Sequence, residues 1–429
     1  MSEGAAPLRV LVNLTWLVPG VVGGSEESTT DALRAVLEYR PDIQPHLAVL
    51  RPFLDAHPDL AEACRCDVLD LSGANKVVRV WKDQTWLSRR TLDASPDVVH
   101  HAGGVVPLRH PGRVVVTIHD LQPLDLPANF SRVKRTYLRV MLGRSARAAE
   151  VVCVPSEFTR RRVLERLGVG ADKVVVVPWS VVGLDRAAGA LDAGSAGSAG
   201  SAGSAGSAGT GNDIDAGGIG TDIPDSAAGT DRGGALFVYP AITYPHKNHM
   251  VLLEAFARLA AEVPDARLVL AGGEGPCEAE VRARIARPDL AGRVQRPGRV
   301  STTEMERLYR RATAVVVPSR YEGFGLPAME AMNRGVPVVV SAAGSLPEVV
   351  GGAGAVVAPV GPDDVTGWAE AMHAVLRLDP ATRGSVVAAG RDRAHAYTPK
   401  RTADALAAAY HRAGGRGGPP GPGSPDHLP

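Results

Sequence analysis

Cysteine is scarce in this chain of 429 residues, which has four: Cys64, Cys66, Cys153 and Cys277. Their spacing does not fit a zinc finger, and four are too few to staple a chain of this length with disulfides. A reducing, cytoplasmic compartment is therefore expected. An excess of charge is also absent, since 47 Lys and Arg residues face 46 Asp and Glu residues. This balance gives no electrostatic basis for binding nucleic acid.

Long apolar runs are also missing, because no stretch reaches the roughly 18 to 20 residues that a membrane-spanning helix needs. The apolar segment Val10–Val22 has the length of a signal-peptide core, but Asn13 and Pro19 interrupt it and no small-residue cleavage site follows cleanly. It is expected to form a buried first strand and a loop. With 45% hydrophobic residues, the chain is predicted to be globular, with two domains that have separate cores.

Short Val, Leu and Ile runs alternate with amphipathic segments, a pattern typical of doubly wound parallel sheets. In the first domain, residues 1–186, the predicted strands are Arg9–Leu14, His46–Arg51, Asp67–Leu71, Asp97–His101, Val114–Ile118, Glu150–Val154 and Lys173–Val177. In the second domain, residues 235–395, they are Ala235–Tyr239, Arg267–Ala271, Val294–Arg296, Ala314–Val317, Val336–Val340 and Gly354–Ala358.

Residues 187–234 interrupt this alternation. Ala193–Gly209 repeats Ala-Gly-Ser, and the stretch after it is rich in Gly, Ala, Asp and Thr. Glycine recurs at every third position as in collagen, but proline does not fill the other positions. A disordered linker is expected, because the segment cannot bury enough surface to offset the entropy of ordering it. Residues 414–429 are rich in Gly and Pro and are predicted to form a disordered tail.

The most informative segment is the run SRYEGFGLPAMEAM at residues 319–332. The predicted strand Ala314–Val317 runs into a glycine-rich loop, and Leu326–Asn333 is predicted as the helix that leaves it. Pro327 is expected at the first helical position, where its missing N–H would lack a partner anyway. The N–H groups of residues 323–326 are then expected to point outward at the positive end of a helix dipole, which suits a diphosphate.

Two carboxylates, Glu322 and Glu330, lie eight positions apart on either side of this loop. Acceptors on both sides of an anion suit a ligand with hydroxyl groups flanking its phosphates, and a nucleotide sugar has that shape. An ordinary α/β turn whose glutamate stabilises the helix dipole accounts for the same spacing. Spacing alone leaves both interpretations open.

Several segments in this half of the chain resemble, in the same order, the donor-site signature of the retaining glycosyltransferase family 4, the glycosyl transferases group 1. The segments are Pro318–Ser319, Tyr321–Gly325, Glu330–Met332, Gly335–Val339 and Leu346–Val349. The resemblance implies a GT-B fold, in which two Rossmann-like, doubly wound parallel-sheet domains face a central cleft. It also implies that residues 396–413 form a helix that crosses back onto the first domain.

The resemblance further implies how the second domain would hold a donor. Glu330 would accept hydrogen bonds from the ribose, and Arg299 and Val300 would lie beside the base. Glu322 and the residues Gly323, Phe324, Gly325 and Leu326 would hold the donor sugar and the phosphates.

Lys247 follows the strand that ends at Tyr239 and would neutralise the diphosphate. A solvated lysine at the start of a helix near Met250 is the alternative. Many relatives carry an arginine five positions before this lysine, where this chain has Ile242. His246, Arg320 or the helix dipole would have to replace that charge.

In the first domain, Gly23 and Gly24 resemble the family's glycine loop, which approaches the donor phosphates and the acceptor. Ser25 is a plausible N-cap of the helix that follows. The loop lacks the GxGxxG form, so it is weak evidence for a dinucleotide.

His119 ends a predicted strand and matches the family's cleft histidine, which would position a donor hydroxyl or stabilise charge near the reacting carbon. A strand-end histidine capped by Asp120 is the alternative. The segment Ser156–Thr159 matches a further family block, although a helix cap is favoured there, since a serine followed by an acid suits a helix start.

A predicted helix over residues 132–148 carries six cations and no acid. The cations are Arg132, Lys134, Arg135, Arg139, Arg144 and Arg147. Val133, Tyr137 and Met141 recur among them at helical spacing. Such a helix suits contact with anionic lipid, where lipid-linked acceptors reside. A solvated basic face over a core stripe is the favoured alternative.

These features predict a retaining, metal-independent hexosyltransferase that needs no cofactor. It would move a hexose from a nucleotide diphosphate sugar to a glycan or lipid-linked acceptor hydroxyl, in polysaccharide or glycoconjugate biosynthesis. The sequence HKNH at residues 246–249 favours GDP-mannose among the donors. A cytoplasmic protein, free or peripheral at the inner face of the membrane, is expected.

His119, Lys247 and Glu322 are the predicted catalytic residues. Glu322 is not assigned as a nucleophile, because retaining glycosidases place two carboxyls about 5 Å apart across the scissile bond, whereas Glu322 and Glu330 flank a phosphate site. A sugar-nucleotide epimerase and a catalytically silent GT-B binding protein are the alternatives.

Overall fold

The computed structural model describes residues 6–181, 234–352 and 360–415. The predicted linker, residues 187–234, lies outside these ranges except for its last residue. The predicted tail lies outside them beyond residue 415, and the candidate strand Gly354–Ala358 lies outside them entirely. The described chain contains two parallel sheets with connecting helices, which confirms the predicted α/β class.

The first sheet has the strand order β3-β2-β1-β4-β5-β6-β7. Its strands are β1 (Leu8–Asn13), β2 (Ile43–Leu50), β3 (Arg65–Leu69), β4 (Val98–His101), β5 (Val114–Thr117), β6 (Val151–Val154) and β7 (Val174–Val176). Each matches a predicted strand, with ends that differ by up to three residues. Strand β1 pairs in parallel with both β2 and β4. The strand order therefore reverses beside β1, where such sheets bind ligands at the carboxyl ends of their strands.

The helices of this half are α1 (Gly24–Tyr39), α2 (Arg51–Ala56), α3 (Pro58–Ala63), α4 (Lys76–Lys82), α5 (Ser88–Ala94), α6 (Gln122–Asp125), α7 (Arg132–Ala148) and α8 (Glu157–Leu167). A π-helical turn, Asp83–Leu87, joins α4 to α5. Arg51, predicted to end a strand, instead starts α2, because Pro52 in the first helical turn suits a helix start.

The second sheet has the strand order β10-β9-β8-β11-β12. Its strands are β8 (Leu236–Pro240), β9 (Arg267–Ala271), β10 (Val294–Gly298), β11 (Ala314–Val317) and β12 (Val338–Val340). Its helices are α9 (His249–Glu262), α10 (Glu278–Ile285), α11 (Thr302–Arg311), α12 (Leu326–Asn333), α13 (Leu346–Val350), α14 (Val365–Leu376) and α15 (Pro380–His395). The fully buried side chains of Phe237, Phe256 and Trp368 belong to one core that spans this half.

The last described helix, α16 (Pro399–Gly414), packs on the first half of the molecule rather than on the second. Its Leu406 side chain lies in the same buried cluster as Leu8 of β1. The Tyr410 hydroxyl is hydrogen-bonded to Nδ1 of His100 at 2.8 Å. Gly414, predicted as the first residue of the tail, is the last residue of this helix.

None of the helices in the described ranges combines the length and the apolarity needed to cross a bilayer.

Candidate active site

A cleft of about 1630 Å³ lies between the two sheets. Every residue that the sequence predicted for the site lines it. These residues are Gly23, Gly24, His119, Lys247, Arg299, Val300, Glu322, Gly323, Phe324, Gly325, Leu326 and Glu330. The fold therefore brings together loops from both halves of the chain, although the function of each residue stays a prediction.

The loop between β11 and α12 turns at Gly325, whose φ of 100° lies in the left-handed region. A Cβ at this position would be strained and would lie 2.6 Å from Cδ2 of Leu346. Because Gly325 is not helical, α12 starts at Leu326, and Pro327 occupies the second helical position rather than the predicted first. The first N–H groups of α12 have no carbonyl one turn earlier to bond. The positive end of the helix dipole is therefore at the cleft.

Lys247 and Glu322 form a partly buried ion pair in the cleft. The Lys247 Nζ donates to Oε1 of Glu322 at 2.6 Å, and Oγ of Ser319 donates to the same oxygen at 2.6 Å. Burial by itself would raise the pKa of the Glu322 carboxyl, but the Lys247 charge and these two hydrogen bonds outweigh it and lower the pKa. Glu322 is therefore an anion at neutral pH. The Lys247 side chain is only 19% exposed, so the alternative of a solvated lysine is wrong.

A buried tyrosine and a left-handed asparagine fix the Lys247 loop. The Tyr239 hydroxyl donates to the Lys247 carbonyl at 2.8 Å and lies 3.0 Å from Oγ of Ser319. Asn248 has a φ of 59°, and its amide donates to the Pro318 carbonyl at 3.2 Å. The strand ends that carry Lys247 and Glu322 are thus joined directly. The sequence did not predict these contacts of Tyr239 and Asn248, because they join the Lys247 loop to the segment at residues 318–319, at separations of 80 and 70 residues.

Arg320 and His246 are two of the groups predicted to supply the positive charge of the arginine that is absent at Ile242. Neither supplies it. Arg320 pairs with Asp363 at 2.7 Å and is 45% exposed, outside the cleft lining. His246 lines the cleft, but burial lowers its pKa to about 4, so it is neutral at pH 7. Arg299 does bring a cation next to Ile242, since both side chains lie within 4.0 Å of the point that a Cβ on Gly273 would occupy.

Glu330, one turn into α12, lies at a largely buried end of the cleft. The Tyr309 hydroxyl donates to its Oε2 at 2.5 Å, and Nη1 of Arg334 donates to its carbonyl at 3.1 Å. Burial raises the pKa of the Glu330 carboxyl despite the Tyr309 hydrogen bond and the Arg334 charge.

Glu27 of α1 faces this carboxylate from the opposite sheet, and the sequence did not single it out. Burial and, after it, the charge of Glu330 raise the pKa of Glu27 to about 7. Asp31, one turn along α1, adds to the same effect and also lines the cleft. Acidic side chains of both domains therefore face one another in the cleft.

His119 stands between two indole rings. Its ring centroid lies 5.4 Å from that of Trp16 and 5.5 Å from that of Trp179. Its Nε2 is hydrogen-bonded to the Ala102 carbonyl at 2.8 Å, and a carbonyl can only accept, so Nε2 carries the proton.

The other ring nitrogen, Nδ1, is buried with no hydrogen-bond partner among the described residues. Burial lowers the pKa of His119 to about 4, so the ring is neutral at pH 7 and Nδ1 can accept a hydrogen bond. Asp120 instead accepts from the Gln122 backbone N–H at 3.0 Å. The alternative in which Asp120 caps His119 is therefore wrong.

The glycine loop after β1 touches the second domain. Gly23, with φ of 67°, is the N-cap of α1, so the predicted N-cap Ser25 is wrong. A Cβ on Gly24 would lie 3.1 Å from Cδ1 of Leu326, and one on Gly23 would lie 3.5 Å from Cδ1 of Ile242. Glycine at these positions lets the backbone of the first domain approach the start of α12.

Helix α7 does not have the expected core stripe. Met141 is buried, but Val133 is 82% exposed. Arg144 turns inward to the carbonyls of Val106 and Pro107, at 3.0 and 3.1 Å.

Helix α4 presents Val77 and Trp81 to solvent, with 79% and 59% of their surface exposed. Burial and the nearby Lys76 of α4 both lower the pKa of Lys134 in α7. Lys76 and Lys134 line the mouth of the cleft. An exposed patch of apolar and cationic side chains thus borders the first-domain side of the cleft.

Comparison with protein families gives two matches that together cover both domains. Residues 225–393 match the model described as "Glycosyl transferases group 1", and residues 22–181 match the model described as "Glycosyltransferase Family 4". The chain belongs to glycosyltransferase family 4. The predicted family is thereby confirmed.

Curated members similar to this family 4 chain include D-inositol 3-phosphate glycosyltransferases of Mycobacterium tuberculosis and Mycobacterium bovis. They are 37% identical over 161 residues, which is 36% of this chain and 33% of the relative. The matching part of the chain thus spans about a third of the length of these relatives.

Solved structures resemble the whole architecture. Sucrose-phosphate synthase from Thermosynechococcus elongatus has a TM-score of 0.68 at 18% identity, covering 94% of this chain and 98% of that one. HepE of Anabaena, in complex with UDP and glucose, has a TM-score of 0.64 at 17% identity, covering 93% and 98%. These likenesses confirm the GT-B fold.

Proposed function

We propose that this protein transfers a hexose from a nucleotide diphosphate sugar to an acceptor hydroxyl, with retention of configuration at the anomeric carbon. The observation that carries the proposal is the Lys247–Glu322 ion pair, 2.6 Å long, beside the N-terminal end of α12 in the cleft. Cation, helix dipole and loop N–H groups converge where a diphosphate would lie. Family membership and the GT-B fold make a nucleotide sugar the natural ligand of such a site.

The donor would lie along the second domain. Lys247 and the N–H groups of residues 323–326 would bind the diphosphate and stabilise the charge that develops on it as the sugar leaves. The Glu330 carboxylate would accept from the ribose, beside the base site at Arg299 and Val300. The pairing of Tyr309 with Glu330 would hold that carboxylate in place.

The sugar and the acceptor would meet between Glu322 and His119. The neutral His119, with Nδ1 free to accept, suits a hydrogen bond from a donor hydroxyl rather than stabilisation of charge as a cation. Glu322 would hold sugar hydroxyls and would not attack the anomeric carbon, because Lys247 and Ser319 already engage its Oε1. Retention would then follow a front-face route, in which the leaving phosphate takes the acceptor proton.

Neutralisation by Lys247, the dipole and Arg299 would make a divalent cation unnecessary, and no cofactor would take part. Among donors we keep GDP-mannose as the first candidate, on the HKNH sequence at residues 246–249. The acceptor would be a glycan or a lipid-linked hydroxyl. Lys76 and Lys134 at the cleft mouth suit the phosphates of a lipid carrier, and the neighbouring apolar patch suits peripheral contact with an anionic membrane.

The test is a panel of UDP-, GDP- and ADP-sugars, screened first by thermal stabilisation and then for transfer in the presence of EDTA. A ligand at 100 times its dissociation constant adds about 2.7 kcal/mol to the free energy of unfolding. Lys247→Ala and Glu322→Ala should abolish transfer, whereas Arg320→Ala, beside Glu322 but outside the cleft, should not. NMR of the product should show the anomeric configuration of the donor.

Other outcomes of that test would point elsewhere. Conversion of the nucleotide sugar to its epimer without an acceptor would show an epimerase. Binding without turnover, unchanged by the two substitutions, would show a silent binding protein. A trapped covalent glycosyl adduct on Glu322 would overturn the front-face route.

A further inference from the structure

Two segments that the donor site does not explain lie directly against each other at the interface between the two domains. They are Ser156–Thr159 in the first domain and Leu346–Val349 in the second. Ser156 is the N-cap of α8, and its Oγ accepts from the Thr159 N–H at 3.1 Å, which confirms the predicted helix cap. The capping of α8 is completed by the other domain. The Glu348 carboxylate accepts from the N–H groups of Glu157 and Phe158 at 2.7 and 2.8 Å.

This arrangement suits a carboxylate, since both oxygens of Glu348 take up N–H groups at the positive end of a helix of 11 residues. Helix α13 is held in turn by Arg393, which donates to the carbonyls of Glu348 and Val349 at 2.6 and 3.0 Å. Ser345, just before α13, donates from its hydroxyl to the Glu322 carbonyl at 3.1 Å. The Glu348 segment therefore lies directly behind the donor loop.

The donor loop itself makes the second contact. The Gly323 carbonyl accepts from Oγ of Ser156 at 2.7 Å and from Oγ1 of Thr159 at 3.2 Å. In a trans peptide the N–H points opposite to the carbonyl, so fixing the Gly323 oxygen also fixes the direction of the Phe324 N–H. That N–H is one of the groups proposed to bind the donor phosphates. Gly323 also packs closely on the first domain, since a Cβ there would lie 2.3 Å from the His119 carbonyl oxygen.

A third contact comes from Tyr321, which precedes Glu322. Its ring packs edge-on against Phe158, with centroids 5.4 Å apart, and its hydroxyl donates to Oδ2 of Asp125 at 3.0 Å. Asp125 is held by Arg162 and Arg166 of α8. Burial would raise the pKa of Asp125, but these partners outweigh it and lower the pKa, so the group stays charged.

We propose that Ser156, Thr159, Gly323 and Glu348 form an interdomain latch that orients the donor loop when the domains close. Opening the cleft would uncap α8 and release the Gly323 carbonyl. The Phe324 N–H would then be free to turn away from the phosphates. Ser156, Thr159 and Glu348 are therefore positioning residues, and the donor loop is complete only in the closed molecule. The effect on turnover rests on the proposed function, whereas the effect on closure does not.

The test uses the full chain with Glu348→Gln and, separately, Ser156→Ala/Thr159→Ala. A glutamine has one acceptor oxygen and no charge, so it cannot serve both N–H groups. Glu280→Gln, an exposed position on α10 in the same domain, is the matched control. Thermal unfolding verifies that each variant folds. Tyr321→Phe, which loses the hydrogen bond to Asp125 and the one from the Leu121 N–H, is a milder third variant.

Closure is measured without substrate, by small-angle X-ray scattering and by hydrogen exchange of the first amides of α8. The latch variants are expected to have a larger radius of gyration and to exchange these amides about tenfold faster or more. Glu280→Gln should match the parent. If neither measurement changes in Glu348→Gln and in the Ser156/Thr159 variant, the latch is overturned, whatever their activity.

Turnover gives the second readout. With the donor found in the panel, kcat should fall about tenfold or more, and the nucleoside diphosphate should bind more weakly, because the Phe324 N–H no longer faces the phosphates. Unchanged kcat and unchanged nucleotide affinity in variants whose cleft has opened would refute positioning of the donor loop. If the latch variants change the scattering but the parent protein turns over no sugar nucleotide, the latch is supported and the proposed function is refuted.

Discussion

The ammonium of Lys247 and the carboxylate of Glu322 neutralise each other across 2.6 Å in the interdomain cleft. Their side chains are 19% and 10% exposed, so water screens the pair only in part. In the proposed function, an incoming diphosphate would meet a cation that already has a partner. The pair carries no net positive charge, so the attraction for a dianion would have to come also from the helix dipole and Arg299.

Breaking this pair from one side should destabilise the fold. Lys247→Met leaves Glu322 as a buried charge without its cation and is expected to cost about 3 kcal/mol in the free energy of unfolding. The double variant Lys247→Met/Glu322→Gln removes both charges and should recover much of that loss. Urea denaturation of the parent and both variants at pH 7.5 measures these free energies of unfolding. Equal midpoints for the single and double variants would contradict a net coupling between the two side chains.

Glu27 should make the protein less stable as pH rises from about 4.5 to about 7. Its folded pKa is raised to about 7, so in this window the unfolded chain releases the proton first and is favoured. Above about pH 7, Glu27 is ionised in both states, and the loss of folding stability that it causes is complete. Glu27→Gln should therefore be more stable than the parent at pH 8, with a difference that disappears near pH 4.5. Denaturation series at both values measure this, with Glu62→Gln on the exposed face of α3 as the control.

His119 should stay neutral through the physiological range. Burial lowers its pKa to about 4, so its ring resonances in an NMR titration should not shift between pH 8 and pH 5.5. The unfolded histidine takes up a proton near 6.5, so the contribution of His119 to stability is lost as pH falls from there towards 4. A ring titration with a midpoint near 6.5 would refute the buried, hydrogen-bonded environment.

The patch on α4 and α7 should bind anionic membranes. Trp81 and Val133 are more than half exposed beside several cations, and such a surface inserts apolar side chains while its charges attract lipid headgroups. Val133→Glu and Arg139→Glu should reduce co-sedimentation with phosphatidylglycerol vesicles by about fivefold each, at about 1 kcal/mol per removed contact. Arg161→Glu, an equal charge change at an exposed position of α8, is the control. Equal sedimentation with neutral and anionic vesicles would exclude this contact.

The sequence predicted the second domain well because its signals are local. The valine run at Ala314–Val317 can only be a buried strand, and the Gly325–Pro327 step marks the start of α12 through backbone chemistry that involves no distant partner. Both elements have the predicted bounds. Glu322, the residues 323–326 and Glu330 follow from these two elements, and all of them line the cleft.

The wrong predictions concern positions whose environment depends on segments far away in the sequence. Val133 has helical spacing with Met141, but periodicity does not tell which face a neighbouring sheet covers. Serine suits a helix cap, which predicts Ser25 there, whereas the N-cap is Gly23, whose φ of 67° favours glycine. Glu27 escaped notice because Glu330, the charge that perturbs it, lies 303 positions further along the chain.

The return of α16 to the first sheet also bears on how the molecule is made. Tyr410 and Leu406 complete a core whose other members, such as Leu8, begin the chain. A ribosome therefore releases the first seven strands long before their last packing partner exists. Of the two described domains, the one synthesised first depends on the helix synthesised last to complete its core, and contacts of such sequence separation slow folding. Truncation before Pro399 would expose the apolar surface of the first domain, although it removes none of its strands.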